Sequence, residues 1–107
     1  MLFRSNCGGP APCVGAFSSD IVAGLERVYA RAGDYNIAAV NMSLGGGSFP
    51  VPCDGQPFKP AIDNLRSIGI ATVIAAGNGS STSELTTPGC ISSAVSVGAT
   101  DKSDVVA

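Results

Sequence analysis

The chain has 107 residues, of which 45% are hydrophobic and 13% are charged. Its net charge of −2 and its lack of basic clusters argue against nucleic acid or an anionic membrane as a partner. No apolar run reaches the roughly 18 residues that a membrane-spanning helix needs. Soluble domains usually carry about 25% charged residues. We therefore expect this chain to be part of a larger domain, with a compact glycine-rich domain as the alternative.

The first part of the chain predicts a loop, a helix and a strand. Residues 5–16 are rich in glycine, proline and cysteine and predict a loop. A helix is expected to begin near Asp20, capped by one of the two preceding serines, and to stop at Gly33. The apolar run at residues 37–42 then predicts a strand.

The rest of the chain continues the alternation of helix and strand. We expect a loop at residues 48–57 and a helix at residues 59–69. A strand at 70–75, a polar loop at 77–89 and a third strand at 94–99 follow. The helix begins at Lys59-Pro60, because proline is tolerated in a first helical turn. Continuous apolar strands separated by a crossover helix predict an α/β fold with a parallel sheet and right-handed crossovers.

Four cysteines, Cys7, Cys13, Cys53 and Cys90, allow three disulfide pairings. The first two bracket a short loop that can close on itself. The last two each follow a strand-ending turn and are expected at one edge of the sheet. Neither a CxxC spacing nor any histidine is present, which disfavours a metal site. Disulfides, and hence an oxidising compartment, are favoured over buried free thiols.

Two of the predicted strands end in turns of small residues. The strand at 37–42 runs into Ser-Leu-Gly-Gly at 43–46, and the strand at 70–75 runs into Ala-Ala-Gly-Asn at 75–78. Ligands of open α/β sheets bind beyond the carboxyl ends of the strands, so the two turns predict a binding site. The sequence contains no histidine, and the usual proton-transfer residue is therefore missing.

Five short sequence motifs occur along the chain, and their order and spacing are informative. They are Gly-Ala-Phe-Ser at 15–18, Asn-Met-Ser-Leu-Gly-Gly at 41–46, Ala-Ala-Gly-Asn at 75–78, Pro-Gly at 88–89 and Val-Ser-Val-Gly-Ala at 95–99. In order and spacing they resemble the subtilisin-like serine proteases, or subtilases (peptidase family S8). The resemblance covers nearly the whole chain. It implies a three-layer α/β fold of the subtilisin kind, with residues 1–107 as an incomplete catalytic domain.

The resemblance also implies a role for each matching residue. The side-chain amide of Asn78 would donate to the oxyanion, and Thr86 would form the base of the pocket for the residue before the scissile bond. One side of the backbone of an extended substrate would be flanked by Ser43, Leu44, Gly45 and Gly46. Its other side would be flanked by Gly15, Ala16 and Phe17. One wall of the pocket would be formed by Ala75, Ala76 and Gly77.

The catalytic residues of the family have no match here. In subtilases the catalytic Asp and His precede this segment and the catalytic Ser follows it. Ser43 lies outside a Gly-x-Ser-x-Gly elbow and has no base to activate it. The resemblance thus implies a segment of a secreted serine endopeptidase that is inactive by itself, without a signal peptide of its own. Its partners would be a polypeptide substrate and the remainder of the protease domain.

Cofactors and modifications receive little support from the sequence. Calcium commonly binds subtilases, but no acidic cluster here has the pattern of a metal loop, so no cofactor is predicted. The triplets that begin at Asn41 and Asn78 fit the N-glycosylation sequon, yet we interpret both as site residues, because a glycan would block the cleft.

Two other functions remain open from the sequence. A degenerate subtilase fold can bind peptides without cutting them. A dinucleotide site is suggested by Gly77-Asn78-Gly79 after a strand and by Asp101 further on. The third glycine of that fingerprint is replaced by Thr82, and no helical pattern follows the turn.

Overall fold

The structure, a computed structural model, describes residues 2–4 and 13–107, with side chains from residue 15 onward. Strands β1 to β7 and helices α1 and α2 follow one another as β1 (Leu2–Arg4), β2 (Cys13–Gly15), α1 (Ser18–Arg31), β3 (Ala39–Met42), β4 (Gly46–Phe49), α2 (Lys59–Ser67), β5 (Ala71–Ala75), β6 (Leu85–Thr87) and β7 (Val95–Val97). Neither helix of this described part is long and apolar enough to cross a bilayer.

A parallel sheet with the strand order β3-β5-β7 forms the centre of the fold. Ala39 pairs with Ala71, and Val73 pairs with Val95. The helix α2 supplies the crossover that parallel neighbours β3 and β5 require. The predicted α/β class with a parallel sheet is therefore confirmed. Two antiparallel pairs, β1 with β2 and β4 with β6, lie outside this sheet.

The core lies between the central strand and the two helices. On α2, Ala61, Ile62 and Leu65 are buried, as their helical spacing predicts. Ile74 of β5 is fully buried as well, and Leu25 is the buried residue of α1. Helix α2 contacts both α1 and β5, so its apolar face joins the other helix to the sheet.

The ends of α1 differ from the prediction. The helix begins at Ser18, with Phe17 as its N-cap and no capping hydrogen bond from a side chain. The expected serine cap is wrong because the Phe17 carbonyl already accepts the N–H groups of Asp20 and Ile21. The helix ends at Arg31, and its C-cap Ala32 is in the right-handed conformation. Gly33 therefore does not stop it through a left-handed turn.

The end of α2 follows the prediction closely. Gly69 has a φ of +82°, a conformation that glycine adopts without a Cβ penalty. Its N–H donates to Arg66 O, and the N–H of Ile70 donates to Leu65 O. These two bonds form a Schellman motif, and the buried side chains of Ile70 and Leu65 accompany it.

Three short strands lie where the sequence predicts loops. They are β2 at Cys13–Gly15, β4 at Gly46–Phe49 and β6 at Leu85–Thr87. The pairing of β4 with β6 joins Gly46 to Thr87 and Phe49 to Leu85. Since these partners are far apart in the sequence, the local pattern of each segment carries no sign of the pairing. The predicted strand 94–99 is shorter in the structure, at Val95–Val97.

A disulfide joins Cys53 to Cys90, two residues that are both almost completely buried. The Cys53 N–H also donates to Cys90 O at 3.0 Å. The sequence leaves the pairing of the cysteines open, and the structure selects the one that joins Cys53 to Cys90. The loop closure that Cys7 and Cys13 would allow lies outside the residues whose side chains are described.

Ionic and polar contacts reinforce the disulfide on either side. Asp54 accepts the Ser92 N–H at 2.8 Å and the Ser92 hydroxyl at 2.7 Å, and these bonds hold the pKa of Asp54 below its ordinary value. Lys59 Nζ bonds both oxygens of Asp63 and lies 3.3 Å from Ser93 Oγ. The hydrogen bond from Lys59 is the largest cause that lowers the pKa of Asp63, and a hydrogen bond from Ser93 is the next largest. The loop before α2 is therefore fastened to the segment after β6 at several points.

Candidate functional site

A cleft of about 660 Å³ lies at the carboxyl edge of the parallel sheet. Each of the three strands contributes the residues that follow it. The contributions are Ser43, Leu44 and Gly45 after β3, Ala76, Gly77 and Asn78 after β5, and Gly98 and Ala99 after β7. The structure thus brings the two predicted strand-end turns together, at the edge where ligands bind to open α/β sheets.

One wall of the cleft is a stretch of backbone without regular structure. Residues 43–45 lie between β3 and β4, and Ser43 and Gly45 are exposed. Within the described part of the chain, the backbone of these three residues takes part in no hydrogen bond. Its N–H and C=O groups are therefore free to pair with another extended chain.

The backbone of Ala76 and Gly77, which follows β5, forms a second wall of the cleft. Thr86 closes the cleft between the two walls. Its backbone N–H donates to Ala76 O at 2.9 Å, and its hydroxyl donates to the same oxygen at 3.2 Å. A Cβ on Gly77 would lie 2.7 Å from Thr86 Cγ2, and a Cβ on Gly45 would collide with Thr86 Oγ1. Both walls therefore need glycine where they meet Thr86.

The contact with Thr86 predicts a sharp difference between two neighbouring glycines. Gly45→Ala should destabilise the fold by about 1–3 kcal/mol, because the new methyl group displaces a β-branched side chain hydrogen-bonded to Ala76. Gly46→Ala is the matched control, since a Cβ there meets nothing within 4 Å. The check is the urea midpoint of each variant. Thr86→Gly should relieve the loss in the Gly45 variant, and equal midpoints for both alanine variants would contradict the packing argument.

Asn78 lies at the rim of the cleft, just after a turn that glycine makes possible. Gly77 has a φ of +134°, a backbone conformation that residues other than glycine rarely adopt. Asn78 and Gly79 are both exposed, and both line the cleft. In the described residues the Asn78 amide has no hydrogen-bond partner. A side-chain N–H donor is thereby available at the mouth of the cleft.

The sequence did not indicate the part that β4 and β6 play in the cleft. Gly47, Ser48, Glu84 and Leu85 also line it, and the Ser48 hydroxyl donates to Glu84 Oε2. The Ser81 hydroxyl accepts the Glu84 N–H at 3.1 Å. Among the residues described around the cleft, Glu84 alone carries an ionisable side chain, so the charge of this site is negative.

Some of the predicted site residues do not line this cleft. Gly15 ends β2, and Ala16 and Phe17 lead directly into α1. None of these three is among the residues that line the cleft, and neither is Gly46. The turn after β5 does not open onto a helix, because the segment up to β6 is irregular. The phosphate-binding helix end that a dinucleotide site uses is therefore absent from this described segment.

Metal binding finds no support in the residues that the structure describes. Among residues 15–107, whose side chains are described, no three side chains of His, Cys, Asp or Glu come together in a group able to hold a metal ion. The two carboxylates with lowered pKa, Asp54 and Asp63, are instead bonded to Ser92 and Lys59.

Comparison with known proteins agrees with the geometry of the cleft. The model of the "Subtilase family" matches residues 15–107. Proteinase T of Parengyodontium album is 34% identical over 84% of this chain and 30% of its own length. The Extracellular serine proteinase of Thermus sp. strain Rt41A is 33% identical over 86% of this chain and 21% of its own length.

A third relative shows the same relationship over a shorter stretch. Alkaline protease 1 of Aspergillus oryzae is 39% identical over 63% of this chain and 15% of its own length. The chain therefore spans less than a third of each of these three relatives. The family match extends over most of the chain and includes every segment that lines the cleft. The chain belongs to the subtilases, a family of serine endopeptidases.

Proposed function

We propose that this chain is the central part of a subtilase catalytic domain and supplies its substrate cleft and its oxyanion donor. The observation that carries the proposal is the convergence of the segments after β3, β5 and β7 on one cleft. The remainder of the protease domain would complete the site. Secretion of the full-length protein is supported by the Cys53–Cys90 disulfide and by a relative named Extracellular serine proteinase.

The substrate in this proposal is an extended polypeptide. The unpaired backbone of Ser43, Leu44 and Gly45 would add it as a strand, with main-chain hydrogen bonds giving affinity independent of sequence. One substrate side chain would then enter the space between Gly45 and Gly77, with Thr86 as its base. Gly15, Ala16 and Phe17, which precede α1, would flank the substrate on its other side.

Asn78 would stabilise the charge that develops during acyl transfer. Attack on the scissile carbonyl places a negative charge on its oxygen, and a donor already aimed at that position lowers the barrier. The Asn78 amide is exposed at the rim of the cleft and unengaged in the described residues. It therefore has no competing bond to break before it meets the oxyanion.

The nucleophile and its base would come from outside these 107 residues. The sequence has no histidine, and the partner of Ser43 Oγ is Asn41 Nδ2 at 3.3 Å. An amide N–H donates and takes up no proton, so Ser43 has no general base. We infer that the chain alone is inactive, since an oxyanion donor without nucleophile and base gives only residual catalysis.

Fluorophosphonate labelling tests this division of the active site. The 107-residue chain should remain unlabelled, whereas the full-length protein should be labelled at one serine outside it. Stoichiometric labelling of Ser43 would contradict the proposal. A full-length protein that binds peptides but takes no label would instead support the non-catalytic alternative, a subtilase fold that holds peptides without cutting them.

Glu84 gives the proposed cleft a preference of charge. We expect the full-length protease to cleave substrates faster when the side chain entering the cleft is lysine rather than glutamate. Glu84→Gln should reduce the ratio of the two kcat/KM values a few-fold, the size typical of an exposed ion pair. Glu26→Gln on α1 is the control variant, because Glu26 lies outside the cleft. An unchanged ratio in the Glu84 variant would show that substrate side chains do not reach this carboxylate.

A further inference from the structure

One asparagine of the chain is followed by glycine, and it is the asparagine at the rim of the cleft. The other four asparagines precede cysteine, isoleucine, methionine or leucine. When a bulky residue follows asparagine, its side chain shields its own backbone nitrogen from the asparagine side chain. Glycine has no side chain to do so, and its backbone adopts a wider range of conformations. The Asn78-Gly79 pair is therefore chemically different from every other asparagine site in the sequence.

The surroundings of this pair leave both reacting groups unrestrained. Asn78 and Gly79 are exposed and lie in the irregular segment between β5 and β6. The space around Gly79 is open, since a Cβ placed there meets nothing within 4 Å. In the described residues neither the Gly79 N–H nor the Asn78 amide takes part in a hydrogen bond. The folded chain thus offers no contact that would hold the two groups apart.

We propose that Asn78 is a site of spontaneous deamidation, which acts as a built-in limit on the lifetime of the active site. The Gly79 nitrogen attacks Asn78 Cγ, so that a new N–C bond forms while the Cγ–Nδ2 bond breaks. The nitrogen Nδ2 leaves as ammonia and carries away the proton lost from Gly79. One water molecule then opens the resulting succinimide ring to aspartate or isoaspartate. Water is the sole co-reactant, and no redox step is involved.

The product reverses the chemical character of the side chain. A neutral amide donates N–H, but a carboxylate at neutral pH only accepts. Isoaspartate in addition lengthens the backbone by one methylene between the cleft wall and Gly79. The functional consequence rests on the proposed oxyanion role of Asn78, because a negative carboxylate would repel the charge it is meant to stabilise. The modification itself does not depend on that role.

A second pair with related chemistry is held differently. Asp54 also precedes a glycine, Gly55, but both of its carboxylate oxygens accept hydrogen bonds from Ser92. Ring closure at Asp54 would have to break those bonds. The two sites are also distinguishable by mass, since deamidation replaces an amide by an acid whereas isomerisation of aspartate leaves the mass unchanged.

The test follows Asn78 over time in the full-length protease, inhibited at its catalytic serine and kept at mildly alkaline pH. Peptide mapping by mass spectrometry should show deamidation at Asn78 and several-fold less at Asn41 and Asn64. The Gly79→Ala variant, which the open space around Gly79 accommodates, should deamidate several-fold more slowly at Asn78. Equal rates in the two proteins, or no reaction at Asn78, would overturn the proposal.

A parallel experiment separates this proposal from the oxyanion role. Uninhibited protease is aged, and its activity is compared with the fraction of intact Asn78, each protein being normalised to its own starting activity. Loss of kcat in proportion to deamidation, slowed several-fold by Gly79→Ala, supports both proposals. Deamidation with full retention of kcat supports the modification site and overturns the oxyanion role. Loss of activity that Gly79→Ala leaves unchanged overturns the lifetime limit.

Discussion

Replacement of Asn78 by alanine in the full-length protease should lower kcat by about 10²- to 10³-fold while KM changes little. The size is the loss known for the corresponding asparagine of subtilisin, a member of the same family. The direction follows from the geometry, because the exposed amide at the rim is the candidate donor toward a developing oxyanion. Steady-state kinetics on one peptide substrate provide the measurement.

Two further variants make the result interpretable. Asn64→Ala removes the same kind of side chain from an exposed position on α2 outside the cleft, and it should leave kcat within about twofold, as surface substitutions usually do. Asn78→Asp keeps the shape but exchanges a donor for an acceptor, and should be at least as damaging as alanine. If Asn78→Ala retained the kcat of the unmodified protein, the oxyanion role would be refuted.

Removal of the Cys53–Cys90 disulfide should have the largest effect on stability. The bridge joins positions separated by 37 residues in the sequence. Closing a loop of that length restricts the unfolded chain by about 4 kcal/mol in the chain-entropy model. The double change Cys53→Ala and Cys90→Ala should therefore lower the free energy of unfolding by about that amount, measured by urea denaturation of the full-length protease inhibited at its catalytic serine.

Reduction of the unmodified protein offers an independent check on this value. Dithiothreitol should destabilise the unmodified protease by a similar amount more than it destabilises the double alanine variant, because both proteins keep Cys7 and Cys13. The neighbouring change Asp54→Asn weakens the exposed bonds to Ser92 without opening the loop, and should cost much less. A double alanine variant as stable as its parent would show that the polar contacts around the bridge hold the loop by themselves.

The sequence predicts the elements whose pattern is local. The apolar run of β5 and the helical spacing of Ala61, Ile62 and Leu65 both lead to buried faces, because burial of apolar surface is what those patterns encode. Disulfides are favoured by the cysteine content, but the sequence leaves the pairing open, and the bond between Cys53 and Cys90 is a finding of the structure. The glycine that ends α2 could be recognised, since Gly69 adopts the positive φ that this residue favours.

The unpredicted parts depend on contacts between distant segments. The Gly-Gly-Ser-Phe sequence of β4 has low strand propensity, and it becomes a strand by pairing with β6. Glu84 resembles an ordinary loop acid in the sequence, and the pairing of β4 with β6 is what brings it beside Ser48 at the cleft. The serine cap failed for a simpler reason, because Phe17 lies one position earlier and its carbonyl already begins the helix.

For the proposed site, the family resemblance and the strand ends pointed to the same residues. Ser43, Leu44, Gly45, Ala75, Ala76, Gly77, Asn78 and Thr86 all line one cleft. Gly15, Ala16, Phe17 and Gly46 do not line it, and their part in substrate binding remains a prediction. The roles of individual residues depend on a bound substrate, whose position no pattern of apolar and polar residues encodes.

The position of Thr86 has a consequence for how such a cleft can diversify. Its side chain contacts the positions of both wall glycines, and neither wall has room for a Cβ beside it. Changes to the walls are therefore costly, whereas shortening residue 86 removes atoms without disturbing its backbone bond to Ala76. Evolution or protein engineering can thus alter the depth of the cleft by changing residue 86 alone, while Gly45 and Gly77 stay unchanged.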